Sequence, residues 1–172
     1  NTDLLLALIH TGCRYREIAR MTWAQVDLDG RKLRIHRQKG GVDNTLVMSD
    51  QLQAMLVRRK AHAESEWVFP TKRRHNNNYS WLRNALERAG ISGDAGRITL
   101  HTARHTFASR MLQNGMSLVE VQGLLGHKNI QSTMVYSHVE TGAVAEKAAR
   151  LLDSMKRVQE KGTPAPKLSV VR

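Results

Sequence analysis

The residues best suited to chemistry cluster in three places. The segment His101-Thr102-Ala103-Arg104-His105 opens a stretch that continues with Phe107, Met111 and Leu112 at helical spacing. His101 and Arg104, three apart, project from neighbouring positions at this helix start, where a polyanion would meet both. His101 and His105, four apart, could instead grip one metal ion. The glutamate of the zinc-protease motif is absent, however, and a cation at Arg104 would oppose a metal beside it. A packed or capping histidine is the plain structural alternative for His101.

Two further groups lie towards the ends. Arg14 and Glu17 share one helix face. The segment Ser117 to Leu125, the turn Gly126-His127-Lys128-Asn129, and Ile130 to Tyr136 read as two short helices joined by a tight glycine turn, which a helix-turn-helix would also show. Ile130, Met134 and Val135 make the better core set of the second helix. Tyr136 is therefore expected on its polar side, where a surface hydrogen bond is the plain reading.

The elements that position these groups follow from pattern. Leu4, Leu5, Leu8 and Ile9 mark a helix that Thr11-Gly12 ends, and a second helix runs from Arg14 to Met21. From Gln25 the period shortens. Asp29-Gly30 signals a hairpin turn, Leu33 and Ile35 alternate with polar residues, and a second turn falls at Gly40-Gly41 before a returning strand, Thr45 to Val47. Ser49 or Asp50 caps a helix to Arg59, and Trp67-Val68-Phe69 reads as a short strand stopped by Pro70. Beyond the polar loop 72–78, Trp81, Leu82, Ala85 and Leu86 return to helical spacing, and the second half is mostly helix. The expected fold is α+β, mainly helical, with helices around a small three-stranded antiparallel sheet. Residues 1–153 form one unit, read as a piece of something longer, and 154–172 form a tail.

Composition narrows the partners. The 172 residues carry 27 Lys and Arg against 15 Asp and Glu, a formal charge of +12. Such an excess attracts polyanions, nucleic acid above all. The longest apolar run, Leu4 to Ile9, is far short of the roughly 18 residues that span a bilayer. The single cysteine, Cys13, forbids an intramolecular disulfide and a multi-cysteine zinc site. A cytoplasmic protein without metal or cofactor is expected.

Taken together, these pieces resemble the catalytic domain of the tyrosine recombinase (phage integrase) family over roughly residues 2 to 140. Thr11-Gly12-Cys13-Arg14-Tyr15-Arg16-Glu17-Ile18 is similar to the family's first arginine box. His101 to Ala108 is similar to the second, and Leu124-Leu125-Gly126-His127, followed nine residues later by Tyr136, to the histidine and nucleophile box. Three separated motifs occur in the family's order.

The resemblance implies that Arg14 and Arg104 clamp a scissile phosphate and that Tyr136 attacks it. His101 and His127 would serve as hydrogen-bonding and acid/base helpers, and Glu17 would orient Arg14. Arg16 competes with Arg14, but the family's arginine directly follows the Thr-Gly-x triplet. Lys39, in the turn Gln38-Lys39-Gly40-Gly41, would be the general acid. This turn lacks the family's following basic residue and Val-Pro pair, which leaves Arg37 and Lys32 as further candidates.

The chemistry explains why such residues are needed. Two guanidiniums suit the planar recognition of an anionic phosphodiester. An ordinary tyrosine, with a pKa near 10, is only about one part in a thousand phenolate at pH 7, so it requires an acceptor or nearby cations. The leaving 5′ oxygen requires a proton donor. The resulting 3′-phosphotyrosine conserves the bond energy, and the family implies cutting and rejoining of double-stranded DNA without ATP or metal. It also implies a tetramer on paired sites, accessory DNA-bending proteins, a further amino-terminal DNA-clamping domain in the parent, and a tail that packs on a neighbouring protomer. A flexible terminus is the alternative for the tail, and a monomer for the isolated piece. A helix-turn-helix regulator, a phosphodiesterase and a topoisomerase of the same chemistry are the competing readings.

Overall fold

The computed structural model describes residues 1–36, 43–70, 80–91 and 98–137. Helix α1 (Thr2–Thr11) packs against α2 (Tyr15–Ala19), α3 (Asp50–Ala61) and α5 (Leu100–Gln113). Its end is fixed by Gly12, whose backbone takes the left-handed conformation (φ 62°) and whose N–H donates to the Leu8 carbonyl. A Cβ on Gly12 would stand 2.3 Å from the Phe107 ring. Glycine is therefore required twice here, for the turn and for the close approach of α1 to α5.

Three antiparallel strands follow in the order β1 (Val26–Asp27), β2 (Lys32–Ile35), β3 (Asn44–Val47). Leu33 pairs with Leu46 and Ile35 with Asn44. The two-residue alternation buries Leu33, Ile35 and Leu46 and turns Lys32, Arg34 and Val47 outwards. At the β1–β2 turn the Asp27 carboxylate accepts the Gly30 N–H at 2.7 Å, and the left-handed residue is Arg31 (φ 54°).

The third strand is not the one expected. Trp67-Val68-Phe69 forms a single bridge, Trp67 to Thr22, and the Val68 N–H donates to Met21 at 2.9 Å. Val68 and Phe69 are buried, so the segment plugs the core through its side chains, and Pro70 follows directly. Val26–Asp27 fills the sheet's edge instead.

Helix α3 is capped by Ser49, whose hydroxyl accepts the Leu52 N–H at 3.4 Å and contacts His10 Nδ1 at 2.7 Å. Asp3 of α1 pairs with Arg59 of α3 at 3.0 Å and also with Arg58. Burial raises the Asp3 pKa, but the hydrogen bonds and charges of both arginines outweigh it, and the net shift is downward. Helices α4 (Ser80–Arg88), α6 (Leu118–Leu125) and α7 (Gln131–Met134) complete the described elements. Ser117 and Glu120 form a reciprocal capping box at the start of α6.

Two apolar clusters meet along α5. Leu100 and Ala103 belong with Leu8, Ile18, Leu33, Ile35, Leu52 and Leu56. Phe107, Ala108 and Leu112 belong with Val121, Leu125 and Tyr136. Arg104 lies between these two sets in the helix, and Leu124 packs against both. The sheet is tied to this second cluster by Asn44, whose side-chain amide donates to the carbonyls of Gly123 (3.0 Å) and Leu124 (3.3 Å).

The expected packing of the last helix is reversed. Tyr136 is 5% exposed and Thr133 fully buried, whereas Met134 and Val135 are 44% and 58% exposed. Helix α7 is a single turn, and the buried side of this turn and of the residues after it is set by Thr133 and Tyr136, three apart, rather than by Met134 and Val135. Among the described residues no helix is long and apolar enough to cross a membrane. Lys39 with the Gly40-Gly41 turn, and the tail 154–172, lie outside the described residues.

Candidate active site

Arg104 is the hub of the site. It is 5% exposed, and a buried guanidinium must find acceptors for its donors. Nη1 donates to the Gly12 carbonyl at 2.7 Å, and Nη2 donates to the Leu125 carbonyl at 2.8 Å. Nη2 also lies 2.7 Å from His127 Nε2. Both carbonyls belong to helix ends, where the last C=O groups lack helical partners. One side chain thereby joins the end of α1, helix α5 and the end of α6.

His127 is delivered by the way α6 stops. Gly126 takes the left-handed conformation (φ 62°) and donates to the Gly123 carbonyl, and the His127 N–H donates to Gln122 at 3.1 Å. These two bonds are the pair that defines a Schellman stop. The Gln122 side chain returns to the His127 carbonyl at 3.1 Å. His127 is thus fixed at both backbone groups, and its Nδ1 lies 2.8 Å from Thr133 Oγ1.

Arg14 stands two residues beyond Gly12, at the start of α2. The Glu17 carboxylate accepts the Arg14 backbone N–H at 2.8 Å and its Nη1 at 3.2 Å. The Glu17 side chain is 2% exposed and that of Arg14 44%. A buried acid thus anchors the base of an arginine whose side chain still reaches solvent.

Tyr136 follows α7 and is buried against Leu125 and Phe107 in the second cluster. Burial pushes its phenol above the ordinary value near 10, and the Arg104 charge pulls it partly back. Its hydroxyl is 2.6 Å from His105 Nδ1, with the two rings tilted at 56° and centred 5.5 Å apart. With the imidazole proton on Nε2, the phenol donates into Nδ1 and His105 is its proton acceptor.

The structure therefore brings His127 onto Arg104 and Tyr136 within reach of the Arg104 charge, with Arg14 two residues from the Gly12 anchor. His101 does not share the phenol's hydrogen bond. It is exposed on the first turn of α5, and His105, one turn further along the same helix, takes that bond. Lys39 falls outside the described residues. Sequence reasoning weighed His105 only as a metal ligand beside His101 and did not single out Thr133. Their signals were position alone: His105 adjoins Arg104, and Thr133 lies three residues before Tyr136.

Comparison with known proteins gives the family. The model of the phage integrase family matches residues 2–142. The chain belongs to the phage integrase family. Among family relatives, it is 34% identical over 162 residues to tyrosine recombinase XerD of Agrobacterium fabrum, covering 79% of this chain and 48% of that protein. Tyrosine recombinase XerA of Saccharolobus solfataricus is 27% identical over 137 residues, covering 79% and 45%. The chain thus spans about half the length of these relatives.

Among solved structures, the catalytic domain of bacteriophage HP1 integrase superposes with a TM-score of 0.59 at 29% identity, covering 80% of this chain and 73% of that one. The Tn1549 transposon integrase in complex with transposon right end DNA gives 0.69 at 18% identity, covering 86% and 58%, a likeness of fold. The mainly helical family fold with a small antiparallel sheet is the one described above.

Proposed function

We propose that this chain is the strand-transferring part of a site-specific DNA recombinase that cuts and rejoins double-stranded DNA through a 3′-phosphotyrosine. The observation that carries the reading is the convergence on Arg104. Its guanidinium binds Gly12, Leu125 and His127 and acts electrostatically on Tyr136. Three motifs distant in sequence thereby meet at a cation and a phenol, the minimum needed for tyrosine to attack a phosphodiester.

In the proposed step, Arg104 and Arg14 neutralise the non-bridging oxygens of the scissile phosphate. The Tyr136 oxygen attacks phosphorus while its proton passes to His105. The bond to the 5′ oxygen breaks, and Lys39 supplies the proton that the leaving oxygen needs. His127 holds Arg104 in place, and His101, exposed at the start of α5, hydrogen-bonds the phosphate. The products are a 3′-phosphotyrosine and a free 5′ hydroxyl, and attack by a second 5′ hydroxyl restores the phosphodiester.

The whole protein would act as a tetramer on paired sites in the bacterial cytoplasm, with accessory DNA-bending proteins. Residues 1–153 would form the catalytic unit, with 154–172 as a tail beyond it. Double-stranded DNA as partner agrees with the DNA complexes of the Tn1549 integrase and of XerH bound to its difH substrate. The test is incubation with nicked DNA or supercoiled plasmid, followed by denaturing gel electrophoresis. A protease-sensitive protein–DNA adduct is expected. Binding without any adduct, also with an amino-terminal clamping domain supplied, would favour the regulator, and net hydrolysis the phosphodiesterase.

A further inference from the structure

The two ring nitrogens of His127 face two different partners. Nε2 lies 2.7 Å from Nη2 of Arg104 and Nδ1 lies 2.8 Å from Oγ1 of Thr133. A guanidinium remains protonated and can only donate. Nε2 must therefore offer its lone pair, and a neutral imidazole that accepts at Nε2 carries its proton on Nδ1. The acceptor for that proton is Thr133 Oγ1.

Thr133 is fully buried, so bulk water cannot take over the bond. Its backbone carbonyl accepts the Tyr136 N–H at 3.0 Å, and its own N–H donates to Ile130 at 2.7 Å. The same residue thus grips the His127 ring through its side chain and the Tyr136 backbone through its main chain.

We propose that Thr133 is a positioning residue of this site, which accepts the Nδ1–H that Arg104 imposes on His127, holds the ring in that orientation and sets the nucleophile's segment in register with it. The effect on cleavage rests on the reading of Tyr136 as nucleophile; the effect on the ring does not. With Thr133 in place, the Nε2 lone pair steers Arg104 towards the phosphate. Without its oxygen, the Nδ1–H has no acceptor, the ring is no longer held in that orientation, and Arg104 loses its support. Hydrogen-bond partners that orient a functional histidine are worth about 10- to 100-fold in metal sites, and an effect of that order is expected here.

The test compares the chain with Thr133→Val, which keeps the shape and removes the hydroxyl, and Thr133→Ser, which restores an oxygen. Long-range ¹⁵N–¹H spectra of the imidazoles, with His127 assigned through His127→Gln, report the tautomer and the hydrogen bond at Nδ1 in the absence of DNA. Rates of adduct formation on nicked DNA report the chemistry. The Nδ1–H tautomer is expected in all three chains, because Arg104 can only donate to Nε2, with the hydrogen-bonded Nδ1–H signal of the parent and the serine variant lost in the valine variant. Adduct formation is expected to fall about 10- to 100-fold in the valine variant and to recover most of that loss with serine.

A parent His127 protonated on Nε2 overturns the proposal, whether or not the valine variant folds. So does a folded valine variant with an unchanged Nδ1–H signal and rate. If the parent shows the Nδ1–H tautomer but no chain forms an adduct, Thr133 keeps its role towards His127 and the recombinase reading fails.

Discussion

At the residue scale the site is organised by one buried cation. Arg104 combines a structural duty to two helix ends with an electrostatic duty to Tyr136, and these cannot be separated by simple truncation. Arg104→Ala leaves the Gly12 and Leu125 carbonyls without their donor, and each unsatisfied buried group costs about 1–3 kcal/mol. A lower unfolding midpoint in urea is expected together with a loss of adduct formation of about 10²-fold or more, the scale for removing one donor to a developing anion. Unchanged stability would show that the two carbonyls do not depend on the guanidinium.

The raised phenol pKa of Tyr136 sets a second residue-scale expectation. A group whose folded pKa lies above its unfolded value stabilises the fold fully below the unfolded value, near 10, and loses that contribution as pH rises through the folded one. Above pH 10, therefore, the parent should lose stability more steeply than Tyr136→Phe, as read by urea denaturation across an alkaline series. Equal slopes would mean that Tyr136 titrates like a solvated phenol. The opposite sign applies to Asp3, whose lowered pKa makes its ion pairs a source of stability that disappears in acid.

At the element scale, helix ends do most of the positioning. Two glycine stops, Gly12 and Gly126, place the carbonyl that holds Arg104 and the histidine that follows α6. Gly12→Ala would force an L side chain into φ 62° and into the Phe107 ring. Strain of about 1–2 kcal/mol is expected from the backbone alone, with further loss from the clash. Gly126→Ala has the same backbone strain and displaces His127, so thermal melting and adduct rate should fall together. A variant that melts lower but cleaves normally would show that the Schellman stop does not set the His127 position.

The same scale explains what the sequence made legible. Helices α1 and α5, with repeated apolar spacing, and α3, with Ser49 or Asp50 at its start, are readable, because several turns or a capping side chain carry the signal. Helix α7 was not read correctly. One turn has no period to measure, and the tertiary fit of Thr133 and Tyr136 against Leu125 and His127 overrode the hydropathy of Met134 and Val135. Trp67-Val68-Phe69 has strand composition, yet nothing local says that its backbone meets one bridge instead of a ladder. Arg104, His127 and Tyr136 could be chosen from motif order, but the bond between Tyr136 and His105 joins residues 31 apart and no spacing rule encodes it.

At the scale of the whole molecule, the +12 charge supplies sequence-independent attraction for DNA that counterion release makes strongly salt-dependent. Affinity for a random duplex should fall about 10³- to 10⁵-fold between 50 and 200 mM salt if 6–10 phosphates are contacted. A flat salt response in fluorescence anisotropy would remove the electrostatic basis of the partner assignment. The two apolar clusters, bridged by α5 and clipped by Asn44, supply the rigid frame on which the chemistry depends.

The central claim is that Tyr136 becomes covalently attached to DNA through a 3′ phosphate. The most direct measurement is mass spectrometry of the adduct formed on nicked DNA, trimmed by nuclease and digested by protease, beside Tyr136→Phe. The account predicts a nucleotide mass on the peptide that contains Tyr136, joined through its 3′ phosphate, and no adduct from the phenylalanine variant. A modified residue elsewhere, or an adduct that survives Tyr136→Phe, would contradict it.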